Sequence, residues 1–547
     1  MHEIEVVLAM LLAVVASGYL VRVLPFSVPI PLVQIVLGAA IAVVGGSAVG
    51  LQPEFFMFAF LPPLLFLDGW HIPKADLLRD KVVIIELAFG LVLFTVFGAG
   101  FLIHWMIPGM PLAVAFALAA VVSPTDPVAV SSIVARCPIP KRLMHILEGE
   151  SLLNDASGLV CFRFAVAAAL TGSFSIVSAS GTFLWMALAG LALGVAVTLA
   201  IAQTQRWLSR HLGEETGSPI LISLLTPFGA YLAAEHFGAS GILAAVAAGV
   251  TMSYVELSGR ALATTRLQRT AVWATVRFAL NGVMFVLLGE QLPGILNRAA
   301  IAVQETGHRS AWWLIVYAFA ITVILAVLRF AWVWVTLKLL LYRAQRNGAE
   351  RENPDWRVVA VVSIAGVRGA ITLAGVLTLP LLMRGGEPFP ARDLAIFLAA
   401  VVILISLVVA AIGLPRLVKG LAVPDEPVEL REENEARREA AAEAVRAIEE
   451  ACHTQGTSNV TEAERYAQAA VRVMENYRHR LKQEEPEGGG TSGESLRASD
   501  RAEIVLRLAA LQAERETIFR LARSGRISDE CSRRLVHQID LSEARYR

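Results

Sequence analysis

About thirteen stretches of mostly apolar residues, each near the length that crosses a bilayer, follow one another through the first 420 residues of this 547-residue chain. They run approximately over residues 3–22, 29–46, 53–70, 82–105, 111–134, 142–170, 180–203, 218–237, 240–257, 271–292, 311–337, 357–382 and 393–417. A spanning helix needs about 20 such residues, and inside lipid the helix is the form in which a lone segment satisfies its own backbone groups. The expectation is an all-α polytopic membrane protein. Composition supports it: 56% of residues are hydrophobic and 17% charged, and the mean hydropathy is +0.61, too apolar for one or two soluble domains. The N-terminus opens on Glu3 and Glu5 rather than on a basic run, so it reads as the first membrane helix and not as a leader peptide.

Loop charges give an orientation, because lysine and arginine collect on the cytoplasmic side. With the N-terminus outside, the inner loops receive Arg22, Lys74, Arg79, Lys81, Arg136, Lys141, Arg142, Arg206, Arg210, Arg260, Arg266, Arg269 and the cluster from Lys338 to Arg357. The outer loops hold Arg298, Arg309, Arg384 and Arg392, a bias of roughly four to one. Net charge is zero, which removes the argument for a nucleic-acid partner. Cys137, Cys161, Cys452 and Cys531 stand singly; that spacing suits neither a zinc site nor a disulfide framework, and no cofactor is expected.

Residues 421–547 change abruptly to a charged, alanine-rich sequence. Tyr466, Ala470, Val473 and Tyr477, and again Ile504, Leu508 and Leu511, recur at helical spacing on either side of a Gly/Ser-rich break near 484–495. This reads as a soluble, cytoplasmic helical tail with a flexible break.

Chemistry concentrates in three segments. The fifth contains VVSPTDPVAV, with Pro124, Asp126 and Pro127 inside an apolar run. Proline removes a backbone donor and crowds the preceding turn, so the helix should unwind around Thr125 and Asp126. Prolines alone often mark a packing kink, but an aspartate at the break is expensive in lipid unless used. Freed carbonyls, half-helix dipoles and the carboxylate together suit a hard cation. The twelfth segment, SIAGVRGAITLAGVLTLP, carries Gly366, Gly369, Gly375 and Arg368 at a comparable depth and is also interruptible. The two interrupted segments stand seven apart, as two inverted six-helix halves joined by a linker helix would place them.

The sixth segment, LEGESLLNDASGLVCFRF, puts Glu150, Ser151, Asn154, Asp155 and Arg163 in one helix. Ser151 and Asp155 share a face, and Glu150 and Asn154 share the next. Burial opposes a bare carboxylate, so a proton and a cation compete to neutralise it, which is the chemistry of exchange. Neutral Asn154 leaves one extra negative charge at Asp155, and the exchange is expected to be one-for-one and electroneutral. Glu150 needs a buried cation, and Arg368 is the expected partner in a structural ion pair. Arg163, about 12 Å further along the axis, should pair elsewhere or snorkel.

The strings SPTDPVAV, EGESLLNDASGLV, GVRGAITLAG and LPPLLFLDGW resemble the bacterial members of the NhaP/NHE branch of the monovalent cation/proton antiporter superfamily, over residues 1–420. The resemblance implies about thirteen transmembrane helices with crossed broken helices, homodimers in the bacterial inner membrane, and sodium/proton exchange by alternating access for pH and sodium homeostasis. It also implies an ion site of Thr125, Asp126, Ser151, Asn154 and Asp155, and a Glu150–Arg368 bridge. Many relatives carry an acid where this chain has Leu67; here Asp68 follows one residue later, turned by about 100°, which places it beside the site rather than in it. Glu86, Glu256 and Glu290 are read as interfacial or structural. Two rivals remain: a potassium/proton exchanger regulated by its tail, and an intramembrane aspartyl protease, which would need two aspartates sharing a proton.

Overall fold

Apolar length and local breakers decide where the helices begin and end. The computed structural model describes residues 2–23, 28–45, 53–71, 81–126, 130, 141–172, 176–212, 217–257, 263–302, 312–346, 356–383 and 385–419, with short pieces of the region beyond 440. Two compact units result, Met1–Val423 and Pro424–Arg547.

In the first unit the described residues form α1 (His2–Val23), α2 (Ile30–Gly45) and α3 (Pro53–His71). Next comes α4, in which Lys81–Ile85 and Val92–Met106 are joined by a π-helical stretch, Glu86–Leu91. Then follow α5 (Leu112–Val122), α6 (Lys141–Thr171), α7 (Ile176–Leu212), α8 (Gly217–His236), α9 (Gly241–Leu257), α10 (Ala263–Ala302) and α11 (Trp312–Arg346). The set closes with α12 (Trp356–Ile364), α13 (Ala370–Leu377) and α14 (Arg392–Val418). No strand occurs among the described residues, only a bridge between Leu382 and Pro388. Eight of the described helices are long and apolar enough to cross a membrane, and Ile30–Gly45, Leu112–Val122 and Gly241–Glu256 are shorter apolar ones.

Helices in lipid gain nothing from burying leucine against leucine, so close backbone approach carries the packing. The α2/α10 contact shows it: a Cβ on Gly38 would stand 1.9 Å from Val286 O, and one on Gly289 would stand 1.9 Å from Ile35 O. Several helices outrun the apolar stretches read from sequence, α7 and α10 most of all, because polar turns continue them at one or both ends.

Both expected interruptions are present. The α5 helix stops at Val122, and Ser123 to Asp126 leave the helical path; Pro127 lies outside the described residues. Between α12 and α13, residues 365–369 are likewise non-helical. Of the second unit, the described residues are helical and bury Ala470 and Ile539. Tyr466, Val473, Tyr477, Ile504, Leu508 and the break at 484–495 lie outside the described residues, as do Cys137, Cys452 and Cys531; Cys161 is a free thiol.

Candidate functional site

The two interruptions cross. Where a helix stops, its last carbonyls and the next amides lose their partners and must find others, and here each break serves the other. The Asp126 backbone N–H donates to Val367 O at 2.7 Å. Contact is so tight that a Cβ on Gly369 would fall 1.8 Å from Asp126 Oδ2. Only glycine lets the Asp126 carboxylate lie against the second break.

Helix α6 supplies the rest. Gly158 allows it to pack on the first break, since a Cβ there would meet the Pro124 ring at 2.3 Å and Ala120 O at 2.9 Å. Ser157 Oγ lies 2.9 Å from Ala88 O and 2.6 Å from Leu153 O of its own helix, sharing its one proton between them where α6 packs on the π-helical part of α4. Glu150, Ser151, Asn154 and Asp155 are all buried, as is Thr125. Asn154 Nδ2 donates to Thr125 Oγ1 at 3.0 Å, and Thr125 Oγ1 in turn faces Glu150 Oε1 at a long 3.5 Å. A carboxylate only accepts, so the threonine proton points to Glu150 and its lone pair to the asparagine amide. That fixes the amide orientation and turns Asn154 Oδ1 the other way, where it is buried with no hydrogen-bond partner. Asp155 lies within electrostatic reach of Asp126 and Asp68.

The expected bridge from Glu150 to Arg368 is not the one that forms. Arg329, on α11, faces Glu150 with both terminal nitrogens, Nη2 donating to Oε2 at 2.8 Å and Nη1 to Oε1. Its Nε donates to Val362 O at 3.1 Å, so one guanidinium joins α6, α11 and α12. Arg368 caps the breaks themselves: Nε donates to Val122 O at 2.9 Å, Nη1 donates to Gly366 O, and its backbone N–H donates to Ser406 Oγ at 3.1 Å. The physical reason is that Val122 O ends α5, where the dipole is negative, and Gly366 O lies in the non-helical stretch after α12, so neither has an intrahelical donor. Sequence reasoning missed Arg329, although a lone arginine inside VILAVLRFAW was itself the signal that a buried acid needed it.

The outlying residues have their own partners. Asp68 pairs with Arg277 at 3.1 Å, each side chain about one-third exposed, so it stands beside the crossing. Arg163 pairs with Glu235 at 3.2 Å. Glu256 accepts from Trp70 Nε1 at 2.7 Å and pairs with Arg269, and Glu290 is buried against Gln291 at 2.8 Å.

An α-helical membrane bundle whose interrupted helices cross at an aspartate, with a second, buried aspartate on the adjoining helix, has the form of a secondary ion transporter. The chain belongs to the sodium/hydrogen exchanger family: the profile described as "Sodium/hydrogen exchanger, transmembrane" matches residues 8–420. It is 42% identical over 543 residues to YjcE of Escherichia coli K12, named as an uncharacterized sodium/hydrogen exchanger, with 98% of each chain covered. It is also 42% identical to the sodium, potassium, lithium and rubidium/proton antiporter of Bacillus subtilis 168, over 75% of this chain and 60% of that protein. The fold is similar to that of the sodium proton antiporter MjNhaP1 of Methanocaldococcus jannaschii, with a TM-score of 0.57 at 16% identity, covering 78% of this chain and all of that one. The chain is thus a multi-pass membrane antiporter exchanging sodium for protons, and the protease reading falls. Its cations are substrates, and the family needs no cofactor.

Proposed function

We propose that Asp155 is the group that carries the proton in one direction and the cation in the other, within a cage completed by Asp126, Thr125, Asn154 and Ser151. The observation that carries this is the unpartnered Asn154 Oδ1. A buried acceptor left without a donor costs about 1–3 kcal/mol, and it sits next in sequence to a buried carboxylate. An oxygen dipole beside a carboxylate is what a small monovalent cation can use once it has shed water. With a proton on Asp155 the same pocket is neutral, and the two ligands exclude one another. Loaded either way the site can change its exposure from one face of the membrane to the other; charged and empty it resists.

On this reading residues 1–420 are the exchanger, built of about thirteen spans in two inverted halves, and 421–547 form a cytoplasmic tail. The protein works as a homodimer in the bacterial inner membrane with its N-terminus outside, serving pH and sodium homeostasis. Loop charge supports the orientation. The name of the Bacillus subtilis relative supports potassium and lithium as further substrates.

The test is proton movement in proteoliposomes carrying an imposed pH gradient, challenged with sodium, lithium, potassium or rubidium. Sodium is expected to collapse the gradient in the wild type and to have no effect in Asp155→Asn or Asp126→Asn protein that still elutes as folded. Unimpaired exchange by Asp155→Asn would falsify the assignment.

A further inference from the structure

We propose that a second, anion-binding site lies in the cavity between the ends of α7, α8, α9 and α10, and that it holds the phosphate of an anionic phospholipid headgroup. The cavity has a volume of about 250 Å³ and is lined by Thr198, Arg206, Ser209 and Arg210 of α7, Glu256 of α9 and Arg269 of α10, among others. Three guanidinium groups thus face one carboxylate. Glu256 is already committed, accepting from Trp70 Nε1 and paired with Arg269. Among the described lining residues a surplus of positive charge remains, and neither Arg206 nor Arg210 has an ion-pair partner among them.

Two deeper atoms mark the place where an acceptor is wanted. Arg269 is 5% exposed and Thr198 1%, yet Arg269 Nε and Thr198 Oγ1 are buried with no hydrogen-bond partner. Arginine nitrogens and a hydroxyl lining one space, two of these groups with an unpartnered buried atom, suit an oxyanion with several oxygens; arginine forks match phosphate well.

The surroundings point to lipid as the source of that phosphate. Along α7, only 17% of the most apolar stretch is buried. The parts of α7 and α8 that line the cavity also expose Trp207, Leu208, Leu221 and Leu225, so a basic cavity sits among greasy, outward-facing side chains. Loop charges put this end of the helices at the cytoplasmic leaflet, where anionic headgroups and arginines attract one another. Arg269 also lies over the Trp70 ring, 5.1 Å from its centroid. A headgroup bound there would therefore join α7 to α10 and, through Trp70, to α3, which carries Asp68 two residues earlier.

The experiment compares phosphatidylglycerol with phosphatidylcholine on full-length protein in detergent, counting retained lipids by native mass spectrometry and following the thermal midpoint. A third arm uses inorganic phosphate. Wild-type protein is expected to retain and be stabilised by phosphatidylglycerol more than by phosphatidylcholine, with no response to inorganic phosphate. Removing two arginines in Arg206→Gln/Arg210→Gln should weaken apparent phosphatidylglycerol affinity on the order of 30-fold. Both side chains are partly or largely exposed, so the fold should tolerate the change; Thr198→Val provides a second variant, with a smaller loss expected. Equal responses to both lipids, or undiminished phosphatidylglycerol binding in the double variant, would overturn the site. A response to inorganic phosphate that equals the lipid's and disappears in the double variant would overturn the lipid source. None of these outcomes bears on Asp155, which the exchange assay tests separately.

Discussion

Replacing Arg329 by methionine is the sharpest probe of how the crossing is held. Glu150 is 0% exposed and Arg329 2%, and the arginine serves both carboxylate oxygens and Val362 O. Its removal leaves a bare interior carboxylate, which costs about 3–5 kcal/mol, and an orphaned carbonyl besides. Glu150 can relieve part of this by taking up a proton, so about 3 kcal/mol is the expected destabilisation. Glu150→Gln together with Arg329→Met removes both charges and should recover most of it, because two neutral groups carry little desolvation penalty. The measurement is a double-mutant cycle on unfolding in mixed dodecylmaltoside/SDS micelles, followed by tryptophan fluorescence. A coupling of about 2–3 kcal/mol is expected for Glu150 with Arg329, and a smaller one for Glu150 with Arg368, whose side-chain donors go to carbonyls. Additivity within about 0.5 kcal/mol for the first pair, or a larger coupling for the second, would refute the pairing.

Gly369→Ala should slow exchange about tenfold or more while the protein still purifies as a single species, since a methyl group 1.8 Å from Asp126 Oδ2 forces the crossing apart at about 1–3 kcal/mol; initial rates in proteoliposomes read it. Asn154→Leu removes the unpartnered oxygen and should raise the sodium KM on the order of tenfold, whereas an unchanged KM would mean Oδ1 is not a ligand. Wild-type sodium exchange should be indifferent to a membrane potential set by a thiocyanate diffusion gradient in potassium-free buffer, and a strong response would eliminate one-for-one stoichiometry.

What the sequence could reveal depended on whether the signal was local. Segment positions follow from apolar length, and the break at Ser123–Asp126 from prolines whose ring and missing donor act within one turn. The break at 365–369 was legible for a similar reason, as glycines flank a charge. Partner choice was not local. Glu150 announced that it needed a cation, and both Arg329 and Arg368 were lone arginines in apolar runs. Which one it meets depends on the rotation and depth of α11 against α6, and no periodicity encodes those. Asp68 is a similar case: its offset from Leu67 was visible, but its salt bridge to Arg277, some two hundred residues later, was not. The orphaned Asn154 Oδ1 emerges only when Thr125 and Glu150 have fixed the amide.

The corrected pairing changes the charge balance of the crossing, and with it the argument for stoichiometry. Were Glu150 matched by Arg368, that guanidinium's charge would be spent within the pair. Because Arg329 neutralises Glu150, the charge of Arg368 remains at the crossing. Its side chain reaches the end of α5 at Val122 O, and Asp126 bonds and packs against the flanking residues Val367 and Gly369. The carbonyl at the end of α5 accepts a guanidinium donor without cancelling its full charge, since a helix end is worth about half a charge. On the proposed site that charge offsets part of the negative charge at Asp126 and Asp155, so that one proton or one monovalent cation on Asp155 completes either loaded form. On the proposed reading Arg368 serves the exchange without touching the ion, and an exchange rate that follows the imposed membrane potential would count against it.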